Sequence, residues 1–277
     1  MMHSNIPLPQ SRWFQQTSRT DAWWFGPLMV LLGLSAFIVY ATWGALQNNH
    51  YYSAAGGAHY LSPFYSPLLW DAPGQASGHS WFGATPTWWP AALPFLPAFL
   101  VLWAPGGFRF TCYYYRGTYY KAFWADPPSC SVAEPRKGYR GEQSLPLIMQ
   151  NAHRYFMYLG ILFIAVLSWD AWKGFWFVDE LTGERSIGVR VGSLVLLTNV
   201  ILLSGYTFGC HCLRHLVGGR FNRLVGRPIR RTAYECVSCL NRSHMRWAWI
   251  SLFWVAFTDF YVRMCSMGVL TDVVLIR

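Results

Sequence analysis

Long apolar segments dominate the hydrophobic pattern of this chain. Five of them approach the ~20 consecutive residues that an α-helix needs to cross the hydrocarbon core of a membrane. They cover residues 23–46, 88–108, 147–177, 191–209 and 246–267. An aromatic loop of residues 47–87 follows the first segment, and basic loops cover residues 109–146 and 210–245. This pattern predicts an all-α integral membrane protein with five transmembrane helices, built as a single domain of residues 1–277.

Composition supports this prediction. Charged residues make up 12% of the chain and aromatic residues 18%, whereas a soluble domain carries about 25% charged residues. We expect no cleavable signal peptide, because the first apolar segment has full membrane length and a polar stretch of 22 residues precedes it. The expected location is the cell (plasma) membrane, as a multi-pass protein. Nucleic-acid-binding motifs are absent from the sequence, and no nucleic-acid partner is expected.

Basic residues predict the orientation. Residues 214–246 contain eight arginines, the N-terminal arm and residues 108–146 carry further arginines and lysines, and residues 47–87 contain none. Cytoplasmic loops of membrane proteins carry an excess of Lys and Arg. The N-terminus and both basic loops are therefore predicted to be cytoplasmic, with the C-terminus outside. This basic face could serve insertion, anionic lipids or a docked soluble partner.

Soft metal-ligating side chains concentrate after the fourth apolar segment. His211 and His215 are four residues apart and share one face of a helix, and Cys236 and Cys239 form a Cys-x-x-Cys pair typical of metal sites. Two imidazoles and two thiolates are the ligands of a Rieske-type [2Fe–2S] cluster. Thiols on the cytoplasmic side are normally kept reduced, which favours ligation over disulfides. In sequence, Cys210, Cys212 and His244 are close enough to replace any of the four.

Two other centres fit the same region. A zinc ion uses the same two cysteines and two histidines, and would make the chain a non-redox scaffold. A b-type haem could be held by His153 from the third segment and by His211 or His215. All three alternatives remain open at this level.

Other polar and aromatic side chains suggest supporting roles. Tyr155, Arg154, Trp247 and Trp249 are candidates for a quinone pocket, because a quinone stacks on aromatic rings and accepts hydrogen bonds at its carbonyl oxygens. Asp259 and Arg263 have the four-residue spacing of a helical ion pair. Charges inside a membrane are either paired structurally or functional.

Five stretches resemble the membrane-anchor subunit of actinobacterial succinate dehydrogenase. They are YLSPFYSP at 60–67, NAHRYF at 151–156, GYTFGCH at 205–211, CVSCLNR at 236–242 and TDFYVR at 258–263. The resemblance implies a subunit of respiratory complex II that docks an iron–sulfur subunit and a flavoprotein subunit. A further small membrane subunit is left open as an additional partner. Electrons would pass from succinate to menaquinone, while flavin and the dicarboxylate site would belong to the other subunits.

Anchors of the wider superfamily often hold two b haems through four histidines on different spans. Within its predicted spans, this sequence offers only His153 and the pair at the end of the fourth segment. This smaller number of histidines favours an iron–sulfur centre or a single haem near the cytoplasmic face.

Overall fold

A computed structural model describes residues 17–133, 135, 143–145, 147–178, 182–219 and 226–276, which are mostly helical. The α-helices in these ranges are α1 (Phe25–Leu46), α2 (Pro97–Phe110), α3 (Tyr113–Thr118), α4 (His153–Lys173), α5 (Val191–Phe208), α6 (His211–Gly218), α7 (Pro228–Arg242) and α8 (His244–Ser266). Part of the predicted basic face, including Arg12, Arg136, Lys137 and Arg140, lies outside the described residues.

Six short strands form three antiparallel pairs in the described chain. They are β1 (Tyr52–Ser53), β2 (Tyr60–Leu61), β3 (Trp176–Val178), β4 (Arg185–Ile187), β5 (Val189–Arg190) and β6 (Val274–Ile276), and they pair in consecutive order as β1–β2, β3–β4 and β5–β6. The all-α prediction did not include these pairs. The β1–β2 pair lies within the loop after α1, the β3–β4 pair lies between α4 and α5, and the β5–β6 pair joins the start of α5 to the residues after α8.

Three described helices are long and apolar enough to cross a membrane: Phe25–Leu46, Leu147–Lys173 and Val191–Phe208. Helix α8 has 23 residues, about 34 Å at 1.5 Å per residue, but carries Arg246, Asp259 and Arg263. Helix α2 has only 14 residues. The described chain is therefore mostly helical with three candidate membrane spans, while the count of five spans and the orientation stay predictions.

Two predicted segments have different helical boundaries. The segment predicted at 88–108 is helical only from Pro97, because Pro90 and Pro94 cannot donate helical hydrogen bonds and disfavour helix in the residue before them. The segment predicted at 147–177 ends as helix at Lys173. Beyond it, Gly174 leads into β3, whose residues pair with β4.

The described residues form two compact units. The first takes residues 17–36 and 110–151, and the second takes residues 37–109 and 152–276. In the first unit, Arg19 Nη1 donates to Ser129 Oγ at 2.8 Å and to the Cys130 carbonyl at 2.9 Å. These contacts fasten the segment before α1 to the loop that follows α3. The single domain predicted for residues 1–277 stays a prediction.

In the second unit, α5 packs against both α4 and α8. His153 begins α4, Phe208 ends α5 and His244 begins α8, so three helix termini bring the Cys/His stretch together at what we call the cysteine end. At the opposite termini, which we call the loop end, the first loop (residues 47–96) packs on α8. The buried core of the loop end includes Tyr51, Leu61, Phe64, Tyr65, Leu68 and Val255.

Candidate metal centre

Three metal-ligating side chains converge at the cysteine end. His153 is the first residue of α4, Cys210 directly precedes α6, and Cys212 lies in the first turn of α6. One ligand atom from each lies within 4.8 Å of the others, and Nε2 of His153 is 3.2 Å from Sγ of Cys210. One nitrogen and two sulfur donors are therefore within reach of one metal centre.

The group is largely shielded from water. His153 is buried, Cys210 is only 1% exposed, and Cys212 is partly exposed. The hydrogen bond with Cys210, aided by the positive charge of Arg154, lowers the pKa of Cys212 to about 7. Since the thiolate is the metal-binding form of cysteine, this side chain is prepared for ligation near neutral pH.

Glycine at position 209 lets the start of α8 approach this group. A Cβ built on Gly209 would lie 2.7 Å from the Gly205 carbonyl oxygen and 3.1 Å from Nδ1 of His244. Asn241 Nδ2 also donates to the Gly209 carbonyl oxygen at 2.8 Å. His244, which is 1% exposed, is therefore held against the residue that precedes Cys210.

A row of aromatic rings connects the two buried histidines. Phe108 stacks on His153 with ring centroids 4.8 Å apart and planes 4° apart, and Tyr206 stacks on His244 at 5.0 Å and 19°. Phe108 and Tyr206 contact each other at 5.3 Å. Both imidazoles are thus fixed by stacked aromatic rings that leave the imidazole edges for hydrogen bonds or a metal.

The four ligands preferred from sequence do not assemble into one group. His211 and His215 do meet, with their Nε2 atoms 3.0 Å apart, but they lie towards the surface of α6. Cys236 and Cys239 are exposed on α7. Within the described ranges, the one group of three or more metal-ligating side chains is His153, Cys210 and Cys212.

Packing of α7 on α6 explains the exposure of these cysteines. Arg214 donates from Nε to Ser238 Oγ at 3.1 Å and from Nη2 to the Tyr234 hydroxyl at 3.0 Å. Residues 234 and 238 therefore face α6, and the cysteines on either side of Ser238 point elsewhere. Sequence reasoning included Cys210, Cys212 and His244 as substitutes and reserved His153 for haem. The adjacency of Cys210 and Cys212 to the end of α5 was the sequence signal for their place in this group.

The four quinone candidates occupy different surroundings. Arg154 is exposed and Tyr155 is 72% exposed. Trp247 packs on Gly205, where an added Cβ would lie 2.6 Å from its ring, and Trp249 stacks on Phe253 at 6.0 Å. All four lie within a few residues of His153 or His244, but their role in quinone binding stays a prediction.

Asp259 and Arg263 form the predicted ion pair, at the loop end. Arg263 Nε donates to Asp259 Oδ2 at 2.7 Å, while its Nη2 and Nη1 donate to the carbonyls of Gly44 at 2.6 Å and Asn49 at 2.8 Å. Tyr40 donates to Asp259 Oδ2 at 2.7 Å, and Ser62 donates to Oδ1. The network ties α8 to α1 and the first loop, which indicates a structural role.

Comparison with known proteins agrees with the resemblance seen in the sequence. The family model for the actinobacterial succinate dehydrogenase subunit SdhC matches residues 25–268. A chain in the solved structure of the Mycobacterium smegmatis Sdh1 complex in the apo form is 40% identical, with a TM-score of 0.83, and the alignment covers 98% of this chain and 97% of that one. Among curated proteins, none matches. The chain belongs to the family of the actinobacterial succinate dehydrogenase subunit SdhC.

Proposed function

We propose that this membrane-anchor subunit of succinate dehydrogenase passes electrons to menaquinone through a Rieske-type [2Fe–2S] centre at the cysteine end. Its ligands are His153, His244, Cys210 and Cys212. The observation that carries the proposal is the convergence of His153, Cys210 and Cys212 within 4.8 Å in a largely buried site. We assign His244 as the fourth ligand, because its Nδ1 lies 3.1 Å from the position of a Cβ added to Gly209, the residue before Cys210.

The donor set fits this cofactor. A Rieske-type cluster takes two imidazoles on one iron and two thiolates on the other, and the imidazoles raise its reduction potential above that of all-cysteine clusters. When bound, it would accept and donate one electron at a time. The protein's own contribution is to hold the imidazoles by ring stacking with Phe108 and Tyr206 and to keep water from the buried donors.

The same end of the molecule is proposed to face the cytoplasm and the partner subunits. Helices α6 and α7, which flank the metal-ligating group, carry Arg214, Arg227, Arg230 and Arg231 in or beside them. A basic cytoplasmic face suits both the positive-inside rule and an acidic docking surface. Family membership supports the iron–sulfur and flavoprotein subunits as partners, in the plasma membrane.

Menaquinone is proposed to bind near this centre. Arg154 and Tyr155 follow His153 directly, and Trp247 and Trp249 follow His244 within five residues. Any of them could supply the ring contacts and donors that a quinone needs. Short distances between a quinone and the centre would favour electron transfer without further groups in this chain.

The test compares two cysteine variants in the complete purified complex. Cys210→Ser removes a proposed ligand, whereas Cys236→Ser changes an exposed cysteine on a neighbouring helix and serves as the matched control. We expect pulsed electron paramagnetic resonance of the dithionite-reduced complex to show nitrogen couplings from histidine ligands. This signal should vanish in Cys210→Ser and persist in Cys236→Ser, while metal analysis shows a matching loss of iron.

Other outcomes point to the other centres. Zinc in the purified complex, with no histidine-ligated iron–sulfur signal, would replace the redox centre with a structural ion. A haem band in the reduced-minus-oxidised visible spectrum that survives Cys210→Ser but is lost in His153→Ala would assign the chemistry to haem. Loss of the nitrogen-coupled signal in Cys236→Ser alone would restore the ligands first predicted from sequence.

A further inference from the structure

Arg109 forms hydrogen bonds with the same face of α8 on which His244 lies. From the C-terminal part of α2, its Nη1 donates to the Ala248 carbonyl at 3.1 Å and its Nη2 donates to Ser251 Oγ at 2.8 Å. His244, Ala248 and Ser251 are spaced by four and three residues, so they share one face of the helix. All three are buried. The guanidinium therefore holds this turn of α8 in place beside the candidate centre.

The same guanidinium also contacts the ring that supports His244. Its Cζ lies 4.6 Å from the ring centroid of Tyr206, and Tyr206 in turn stacks on the His244 imidazole at 5.0 Å. Planar guanidinium groups stack on aromatic faces and present several donors in fixed directions. Arg109 thus fixes His244 in two ways, through the helix that carries it and through the ring that packs on it.

We propose that Arg109 is a positioning residue for the centre, and that its fixed positive charge raises the reduction potential of that centre. This inference rests on the proposed function. Reduction adds one electron to the centre and breaks no bond. A nearby positive charge stabilises the added negative charge, and it does so more strongly in a poorly solvated site than in water. Net charge and hydrogen bonding around an iron–sulfur cluster are known determinants of its potential.

Two substitutions separate the effect of the Arg109 positive charge from the effect of its hydrogen bonds and ring contact. Arg109→Gln removes the positive charge and the paired hydrogen bonds. Arg109→Lys keeps a positive charge but cannot donate in the same two directions or stack as a plane. Arg190→Gln is the matched control, because Arg190 lies over the Phe177 ring at 4.3 Å and donates to the Gly56 carbonyl, but at the loop end.

The experiment is a redox titration of the complete complex, followed through the histidine-ligated paramagnetic resonance signal. We expect Arg109→Gln to shift the one-electron equilibrium at least tenfold towards the oxidised form, which lowers the midpoint potential by about 59 mV. Arg109→Lys should shift it less, yet change the nitrogen couplings, because His244 loses its fixed orientation. Arg190→Gln should keep the wild-type potential and couplings.

The outcomes separate this inference from the function on which it rests. A wild-type complex without the histidine-ligated signal overturns the proposed centre and this inference with it. A wild-type signal whose potential is unchanged in Arg109→Gln overturns the inference alone. If Arg109→Gln does not assemble, Arg109→Lys decides, since wild-type couplings together with a wild-type potential in that variant would contradict the role given to Arg109.

Discussion

The loop end and the cysteine end both bury polar side chains, but they compensate them differently. At the loop end, Asp259 is 0% and Arg263 2% exposed, and each nitrogen of the guanidinium and both carboxylate oxygens have a hydrogen-bond partner within the chain. At the cysteine end, the imidazole of His153 and two thiols converge on one another, and no carboxylate of the described residues belongs to this group. The charged groups at the loop end are satisfied by partners within the chain, whereas the donors at the cysteine end are suited to bind a metal.

This difference shows that residue spacing alone does not distinguish a candidate metal centre from a structural contact. Asp259 and Arg263 are four residues apart, and so are His211 and His215. Both pairs meet in the structure. One pair is buried in a charge network, and the other lies at a surface beside the buried group. Residue chemistry together with convergence from several helices distinguishes a candidate centre from a structural contact.

The largest expected effect comes from breaking the network at the loop end. Asp259→Ala leaves the Arg263 guanidinium buried without its carboxylate, which typically costs about 3–5 kcal/mol. We expect little complex to be recovered, with a clearly lower melting temperature in detergent. Any complex that does assemble should keep its histidine-ligated resonance signal, because the cysteine end is unchanged.

The control for this prediction replaces both charges. In Asp259→Leu combined with Arg263→Met, no buried charge is left alone, and such replacements are often close to neutral. Partial recovery of the melting temperature in the double variant is expected. A single variant as stable as the wild type would show that the ion pair does not hold the loop end together.

The second prediction concerns the pH dependence of the first loop. Nδ1 of His79 lies 3.9 Å from Asp170, but burial, with the positive charges of Lys173 and His59, lowers the pKa of His79 to about 4. The imidazole is therefore neutral at pH 7. An unfolded histidine has a pKa near 6.5, so the unfolded state binds more protons as pH falls from about 6.5 to about 4. The free energy of unfolding should fall through this window by up to about 3 kcal/mol.

His79→Gln isolates this contribution. The variant has no group that titrates at position 79, so its stability should fall less than that of the wild type between pH 6.5 and pH 4.5. Melting temperatures of both complexes across this range provide the measurement, and the difference between the two curves removes the contribution of other groups. Parallel curves would mean that His79 is not held neutral in the folded loop.

Helix positions could be predicted from this sequence more fully than the site. Helix ends depend mostly on residues that are close in sequence. The fourth segment, predicted at 191–209, therefore differs by only one residue from the observed helix Val191–Phe208. Residues 88–96 were wrongly predicted as helical, because apolar content there outweighed the effect of two prolines. The metal-ligating group depends on packing between distant helices: His153 and Cys210 are 57 residues apart. No local sequence pattern specifies which helix termini meet, although all four proposed ligands were among the candidates found in the sequence.

A third and smaller effect is expected where α5 and α8 approach closely at the cysteine end. A Cβ on Gly205 would lie 2.6 Å from the ring of Trp247, so Gly205→Ala must displace the indole or separate the helices. Overpacking of this kind typically costs about 1–3 kcal/mol. Because the displaced helix turn carries His244, the nitrogen couplings of the centre should change together with the melting temperature.

Gly106→Ala is the matched control for this change. Gly106 also lies within a helix of the same unit, but nothing is within 4 Å of a Cβ added there. The added methyl group should leave the resonance signal unchanged and should not lower stability, since alanine is favoured over glycine inside helices. Equal effects of the two substitutions would contradict the close approach of α5 and α8.

The smallest effect is expected for an exposed pair with the same spacing as Asp259 and Arg263. Arg231 Nε lies 2.8 Å from Glu235 Oε1 on α7, and both side chains are well over half exposed. Water and salt screen such a pair, and ordering two long side chains offsets most of the attraction. Glu235→Ala, Arg231→Ala and the double variant should therefore have the melting temperature of the wild type, with no measurable coupling at physiological salt. A clear coupling would mean that α7 is covered in the assembled complex, because only desolvation could make this pair behave like the buried one.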